Sequence, residues 1–455
     1  MMTSWEQFVA QVADTRLEDL EPAAVEAVTA AFIDTIAVMI DARDEETPRR
    51  VREALSGMFG AEGSCVLVGQ DGPGVAEALA LVHNGTLAHV LDYDDTHGDV
   101  GGHASALLVP TILTVGESVG ASGAQMLLAY AVGLEVAAAV GRHMGKGGYR
   151  KGWHYTSIVG PVGCAAAAGV LLGLNREQFL VALSTGASVS HGLKANFGTM
   201  TKSFHVGWSA MGGAAAARLA LRGFSSQPDA VIGAKGLTRL ISDTTADDFV
   251  APTTVGDALT KQGLNMKVFP CCAQSHATLI AAQKTLLDLN DQRPDGWTNS
   301  DIDSVSVRIH PDYKNQLIYM WPTEGLEGKF SLRYLLSAML TDRTITNDTF
   351  TLASLSRLTE SGMLERITVV EDDTLHSEVV QLDVSLRDGA SASFSTVPGE
   401  RAFNPEHVAS LLEKKFVDCS SQFYGEQGAR HRFALLQRMA SLPGAEIFQA
   451  LRADR

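Results

Sequence analysis

The chain holds 455 residues, with 36 basic against 52 acidic side chains and a formal net charge of −16. That length supports two or three domains with buried cores, and 45% hydrophobic beside 19% charged residues excludes a disordered chain. The negative balance disfavours nucleic acid and anionic membranes as partners, since no basic and aromatic cluster offsets it.

In chain order, the opening MMTSWEQFVAQVADTRLEDLEP carries acids in its first turns and no basic flank before an apolar core, so it does not read as a secretory signal. From about 5 to 265 the apolar spacing is mostly helical, as in EPAAVEAVTAAFIDTIAVMI, GVAEALALVHNGTLAHVL, GAQMLLAYAVGLEVAAAV, REQFLVALSTGASVSHGL and GWSAMGGAAAARLAL. Ala and Gly richness there lets helix axes approach closely, which suits a broad multi-helix core. SIVGPVGCAAAAGVLLGL at 157–174 lacks charge, but a Gly-Pro break and small residues make it a packed soluble helix rather than a membrane span. Ser122 and Asn175 stand at helix-capping positions.

Near 265 the texture changes. SVSVRIH at 304–310 alternates, RITVVED at 366–372 is rich in β-branched residues, and VVQLDVSL, Asp388-Gly389 and ASASFSTV read as a hairpin with a tight turn. SHATLIAAQKTLLDL and GKFSLRYLLSAML between them are helical, and EHVASLLEKKF and RHRFALLQRMASL return to helical spacing after Pro405. The fold class is therefore mainly α: an all-α domain over 1–264, a smaller α+β domain over 265–398, and closing helices over 399–455 that return to the first domain. Five cysteines, with no Cys-x-x-Cys spacing, predict neither a disulfide framework nor a zinc knuckle and fit a reducing cytoplasm.

The chemistry concentrates in one region. No Lys or Arg occurs from 53 to 141, and inside that gap AHVLDYDDTHGDVGGHAS sets Asp92, Asp94, Asp95, Thr96, His97, Asp99 and His103 within twelve residues. Such carboxylates repel one another unless distant basic groups, a metal or a shared proton relieve them; a solvated, Asp-rich helix end is the plainer alternative. Eight of the thirteen histidines lie between 83 and 205, and several converging on one pocket would suit acid–base work. His83, His89 and His191 read as packed core histidines. GTMTKSFHVGWSA places Lys202 and His205 three apart on one helix face, and KVFPCCAQSHATLI places Lys267 before Pro270 with His276 in the next helix. An anionic substrate of so acidic a chain needs local cations, and Lys202 and Lys267 supply them.

Asp92-Tyr93-Asp94-Asp95-Thr96 also fits the Asp-x-Asp-x-Thr pattern of haloacid-dehalogenase-like phosphatases, but the neighbours are helical and no later Gly-Asp-x-x-x-Asp follows. The Asp-x-Asp-Asp of class II terpene cyclases fits the same letters, against an aromatic content of 7%. A metal at Asp92, Asp94, Asp95 and Asp99 is a further alternative.

NGTLAHVLDYDDTH, GGHAS, GWHYTSIVG, GTMTKSFHVGWSAMGGAAAARLALRGF, KVFPCC and KFSLRY occur in the order found in the MmgE/PrpD family, and the chain resembles that family over nearly its whole length. The family includes 2-methylcitrate dehydratase, cis-aconitate decarboxylase and iminodisuccinate epimerase. The resemblance implies a large all-α domain from the N- and C-terminal parts, an α+β lid domain, a homodimer, and catalysis without cofactor or metal on a small di- or tricarboxylate. It assigns catalytic duties to Asp92, His103, His154 and Lys202, with Asp92 orienting a histidine, and substrate binding to Thr96, Lys267, Cys272, His276 and Tyr334. His-Pro-Ser of the family reads His103-Ala104-Ser105 here, and Cys272 stands where decarboxylase-like members carry a histidine, with His276 as a substitute. What unites these reactions is proton transfer at carbon beside a carboxylate, which needs a placed base and cations. The reading that follows is a dehydratase-type hydro-lyase, with an epimerase or isomerase as the alternative. Decarboxylase, phosphatase and non-catalytic binding protein rank behind.

Overall fold

A computed structural model describes residues 2–397 and 408–452; the boundary expected at 398/399 lies outside them. The chain divides into two compact units, one of residues 2–195, 200–266 and 408–452, the other of 196–199 and 267–397. The first is helical and the second mixes helices with a sheet, the mainly α fold class that the spacing predicts.

In the helical unit, local sequence explains where the helices begin. Ser122 accepts from the Gln125 amide and opens Gly123–Met144, and Asn175 does the same for Gln178 ahead of Arg176–Ser188, each as a reciprocal capping box. Residues Pro22–Asp44 and Gly123–Met144 are long and apolar enough to cross a membrane, yet most of each is buried within the unit. All five cysteines are buried.

Small residues then decide which helices meet. A Cβ on Gly85 would lie 2.6 Å from the Gly207 Cα, so the helices Glu77–His89 and Met200–Leu221 cross with backbones almost touching. A Cβ on Gly213 would lie 2.7 Å from the Pro161 carbonyl, which brings Tyr155–Leu171 against the same helix. His89, Lys202 with His205, and the residue leading into Tyr155–Leu171, His154, ride on these three helices. The C-terminal helix Val408–Leu436, broken at Gly425, packs along Pro22–Asp41.

The smaller unit is built on a four-stranded mixed sheet in the order Ile367–Glu371, Ile302–Ile309, Val380–Leu386, Ser391–Ser395. Ile302–Ile309 pairs parallel with the first and antiparallel with the third, with Val305 opposite Ile367 and Val384. A register shift between Ile302 and Ser304 changes the phase of the alternation, so Ile302, Val305, Val307 and Ile309 are all buried. The hairpin turns through Asp388-Gly389, where Gly389 has φ 94. His276–Gln292 and Leu332–Asp342 pack on the sheet and complete its core.

The helix crossing yields a stability test. Gly85→Val must push the two backbones apart and is expected to cost at least about 1–3 kcal/mol, read as a lowered Tm. Gly57→Ala, on an exposed helix position with nothing within 4 Å of the added Cβ, is expected to raise Tm slightly or leave it unchanged. Equal effects would remove the crossing as the explanation.

Candidate active site

The helix Glu77–His89 ends at the acidic segment, and the turn beyond it holds Asp92 at φ 53, a left-handed conformation uncommon outside glycine. His89 and Asp94 are completely buried. Asp94 accepts from His89 Nδ1 at 2.9 Å, and His103 Nδ1 lies 2.9 Å from Asp94 Oδ2 and 3.0 Å from the Asp95 carbonyl, so both oxygens face its proton. Burial pushes the Asp94 carboxyl up, but the two imidazoles beside it more than offset this and hold it well below the usual carboxylate range. It stays ionised and draws the Nδ1 proton of both rings.

With its proton on Nδ1, His89 offers the Nε2 lone pair to Lys202, whose Nζ lies 2.7 Å away. The same Nζ donates to Asp92 Oδ1 at 2.8 Å, so the ammonium is held between an imidazole and a carboxylate, all buried. His103 Nε2 lies 3.7 Å from Asp92 Oδ1. Of His89, Asp92, Asp94, His103 and Lys202, His103 has the most exposed side chain, at 13%.

The imidazoles continue from there. The rings of His89 and His103 are 4.3 Å apart between centroids, and His89 and His154 are stacked at 6.2 Å. His154 is placed by its amide, which donates to the Gly192 carbonyl at 3.1 Å, and its Nδ1 lies 3.1 Å from His205 Nδ1. One of these two nitrogens must carry the proton and the other the lone pair. Burial, then Lys202, drives the His154 pKa well below its ordinary value, and burial brings His205 to about 4.

The acidic segment is relieved by distant groups and by a proton. Lys202 takes Asp92, the imidazoles take Asp94, and Arg142 takes Asp99 at 2.8 Å. Asp95 turns toward Ser105, accepting from its amide at 3.2 Å and from its hydroxyl, which lies 2.5 Å from Tyr130 OH. Burial raises the Asp95 carboxyl to about 7 against those hydrogen bonds. The four aspartates weighed as a metal set therefore point to separate partners. A different set, His89, Asp92, Asp94 and His103, offers ligand atoms within 4.8 Å of one another, but a metal there would compete with Lys202 for two of its four donors. The phosphatase pattern wants a strand before its first Asp in a doubly wound sheet. Here a helix precedes it, and Thr96–His97 forms only a two-residue antiparallel pairing with Leu264–Asn265.

Asp92, His103, His154 and Lys202 lie together in the helical unit. Thr96 is in the same unit, its hydroxyl near Asn265 Nδ2 at 3.4 Å. Lys267, Cys272, His276 and Tyr334 belong to the smaller unit. Lys267 is completely buried there. The Cys272 amide donates to the Lys329 carbonyl at 3.2 Å, and the His276 ring stands edge-on to Phe269. Tyr334 is fully buried, and its hydroxyl donates to the Thr349 carbonyl. Asp94 holds the Nδ1 side of the histidines, while the left-handed turn sends Asp92 to Lys202 and leaves its Oδ1 3.7 Å from His103 Nε2. His89, read as a packed histidine, touches both Asp94 and Lys202; its spacing of five residues from Asp94 across a helix end was the available signal.

Fold and cluster together define a mainly helical, two-unit protein with a buried cluster of imidazoles, carboxylates and one lysine in its helical unit. The chain matches the MmgE/PrpD N-terminal domain over residues 6–249 and the MmgE/PrpD C-terminal domain over 269–440. It belongs to the MmgE/PrpD family. It is 27% identical to cis-aconitate decarboxylase of Homo sapiens over 74% of this chain and 71% of the human protein, and 27% identical to that of Mus musculus over 68% and 64%. A cis-aconitate decarboxylase-like protein of Aspergillus oryzae is 27% identical over 49% of each chain.

The buried imidazoles make stability depend on pH. His83, His89, His97, His143, His154, His191 and His205 all have lowered pKa values, chiefly from burial. Each binds its proton less readily in the fold than in the unfolded chain, which takes up protons below about 6.5, so their stabilisation is full above that pH and is lost as pH falls. Asp95, Glu117 and Glu135 are raised and act in the opposite sense, stabilising less as pH rises. The histidines outnumber them, and each net proton is worth about 1.4 kcal/mol per pH unit. Calorimetry should show Tm falling as pH is lowered from 7 to 5; a rising Tm would mean the rings are not buried neutral.

Proposed function

We propose that the protein is a cytoplasmic, homodimeric lyase that moves a proton at the carbon beside a carboxylate of a small di- or tricarboxylate, without cofactor, as a 2-methylcitrate-dehydratase-like hydro-lyase. The observation that carries this is the Asp94 carboxylate bound to the Nδ1 of two imidazoles, with the Lys202 ammonium beside them. His103 has its proton directed to Asp94, which leaves Nε2 as the lone pair, and it is the base that removes the α-proton. Negative charge then builds on the substrate carboxylate. His154 is a neutral ring and meets that charge as a hydrogen-bond donor through Nε2–H, which requires His205 Nδ1–H to donate to His154 Nδ1. Lys202, steadied by Asp92, gives a proton to the departing hydroxyl, which leaves as water, and the amine and the His103 imidazolium then re-equilibrate with solvent. In this proposal Thr96 of the helical unit and, separately, Lys267, Cys272, His276 and Tyr334 of the smaller unit are carboxylate-binding residues on the family motifs alone.

Decarboxylation is the second reading, favoured by the cis-aconitate decarboxylases among the relatives. There Lys202 would supply a proton to carbon as carbon dioxide leaves. The family pattern at Cys272 favours elimination.

Proton NMR in deuterated buffer with 2-methylcitrate, citrate, cis-aconitate and iminodisuccinate tests the proposal. An alkene product that forms equally with EDTA is the expected result. Deuterium entering beside a carboxylate without elimination would replace it with epimerisation, and loss of carbon dioxide with decarboxylation. Lys202→Met is expected to lower turnover by roughly 10³-fold or more, with the circular dichroism of the native fold. His205→Phe should lower kcat by about 10–100-fold at little change in KM, with partial rescue in His205→Gln, which keeps a donor. A fully active Lys202→Met protein would remove that residue from the mechanism.

A further inference from the structure

Lys415 is a buried lysine that the acid–base scheme does not use. It sits on the C-terminal helix Val408–Leu436, with its Nζ 2.7 Å from Asp34 Oδ1 on the helix Pro22–Asp41. The same Nζ donates to the Tyr93 carbonyl at 2.9 Å and lies 3.9 Å from the centroid of the Tyr93 ring. The side chains of both ion-pair partners are almost wholly buried, at 5% and 0% exposure. Such a pair recovers its desolvation only through close geometry, so its position is strongly specified.

That position matters because of what Tyr93 separates. Asp92 on one side contacts Lys202, and Asp94 on the other contacts His89 and His103. Asp92 is held at φ 53, a conformation that costs energy for a non-glycine residue and persists only when its surroundings impose it. The Tyr93 carbonyl belongs to the peptide that joins Tyr93 to Asp94. A donor fixed against it fixes the plane of that peptide, which bears directly on how Asp94 leaves the chain and reaches Asp92 only through the Tyr93 residue between them.

We propose that Lys415, anchored by Asp34, is a positioning residue: it clamps the Tyr93 carbonyl so that Asp92 and Asp94 meet Lys202 and the two imidazoles. Its consequence for turnover rests on the acid–base reading above, whereas its effect on geometry does not. The C-terminal helix is thereby part of the site although it supplies no group to the cluster. A change of one side chain there is felt more than three hundred residues earlier in the chain.

The test separates positioning from stability. Asp34→Leu with Lys415→Met replaces the ion pair by apolar groups of similar size, a change often neutral for stability. Asp34→Asn with Lys415→Gln removes the charges but keeps an N–H donor for the Tyr93 carbonyl. Imidazole ¹⁵N NMR of histidine-labelled full-length protein reads whether His89 and His103 remain Nδ1-protonated, and Tm reads the fold. The expected result is loss of the defined Nδ1–H signals in the Leu/Met protein at a Tm near that of the parent, with recovery in the Asn/Gln protein. Unchanged signals in the Leu/Met protein would overturn the proposal. If that protein does not fold, Asp34→Asn with Lys415→Met against Asp34→Asn with Lys415→Gln makes the same comparison. On a substrate that turns over, kcat should fall at least tenfold in the Leu/Met protein and recover with the signals. A parent protein silent on every substrate, with its Nδ1–H signals present and Lys415-dependent, would sink the functional reading and leave the positioning role standing.

Discussion

A lysine ammonium buried between a carboxylate and an imidazole is the constraint on which the rest of the helical unit depends. Lys202 lies 2.8 Å from Asp92 and 2.7 Å from His89, and a charge so deeply placed is tolerable only where every partner is in position. The partners come from separate parts of the chain. Gly85 and Gly207 let the helix carrying His89 approach the one carrying Lys202, and Asp92 reaches the ammonium from a left-handed turn. Larger residues at the crossing would separate the donors from their acceptors before any question of chemistry arose.

The electrostatic character of the centre follows from that burial. Around one cation stand imidazoles kept neutral, with His89 at about 3 and His205 at about 4 because the low-dielectric surroundings penalise their charged forms. Their tautomers are consequently set by hydrogen-bond direction. Asp94 writes that direction for His89 and His103, and the contact between His154 and His205 writes it for a third ring. Asp95, one residue beyond Asp94, has the opposite fate: it turns from the imidazole rings toward a serine, and its carboxyl rises to about 7. Two adjacent buried aspartates thus shift in opposite directions: the imidazoles lower Asp94, and burial raises Asp95 against its hydrogen bonds to Ser105.

Much of the fold was legible in the sequence because it rests on local rules. Helical spacing, the caps at Ser122 and Asn175, the alternating strand near 304 and the Asp388-Gly389 turn each depend on neighbours a few residues away. The register shift after Ile302 escaped such reading, since it appears only when a strand meets its partner. The partner of the Tyr334 hydroxyl escaped it as well: a motif match places a tyrosine at a position, but that its hydroxyl meets the Thr349 carbonyl depends on how a helix packs.

The sequence by itself determined the class of structure, the family and the inventory of the site: an acidic segment free of lysine and arginine, a concentration of histidines, and Lys202 in a glycine-rich helix. Periodicity, composition and motif order are properties of the chain and survive without coordinates. Only the tertiary structure decided the wiring. That Asp94 meets the Nδ1 side of two imidazoles while Asp92 reaches Lys202, that His89 touches both Asp94 and Lys202, and that Lys415 reaches the Tyr93 carbonyl are matters of direction and distance between segments up to 322 residues apart. Hydrogen bonds are directional and short-ranged, so they cannot be read until the packing of helices has placed their donors and acceptors.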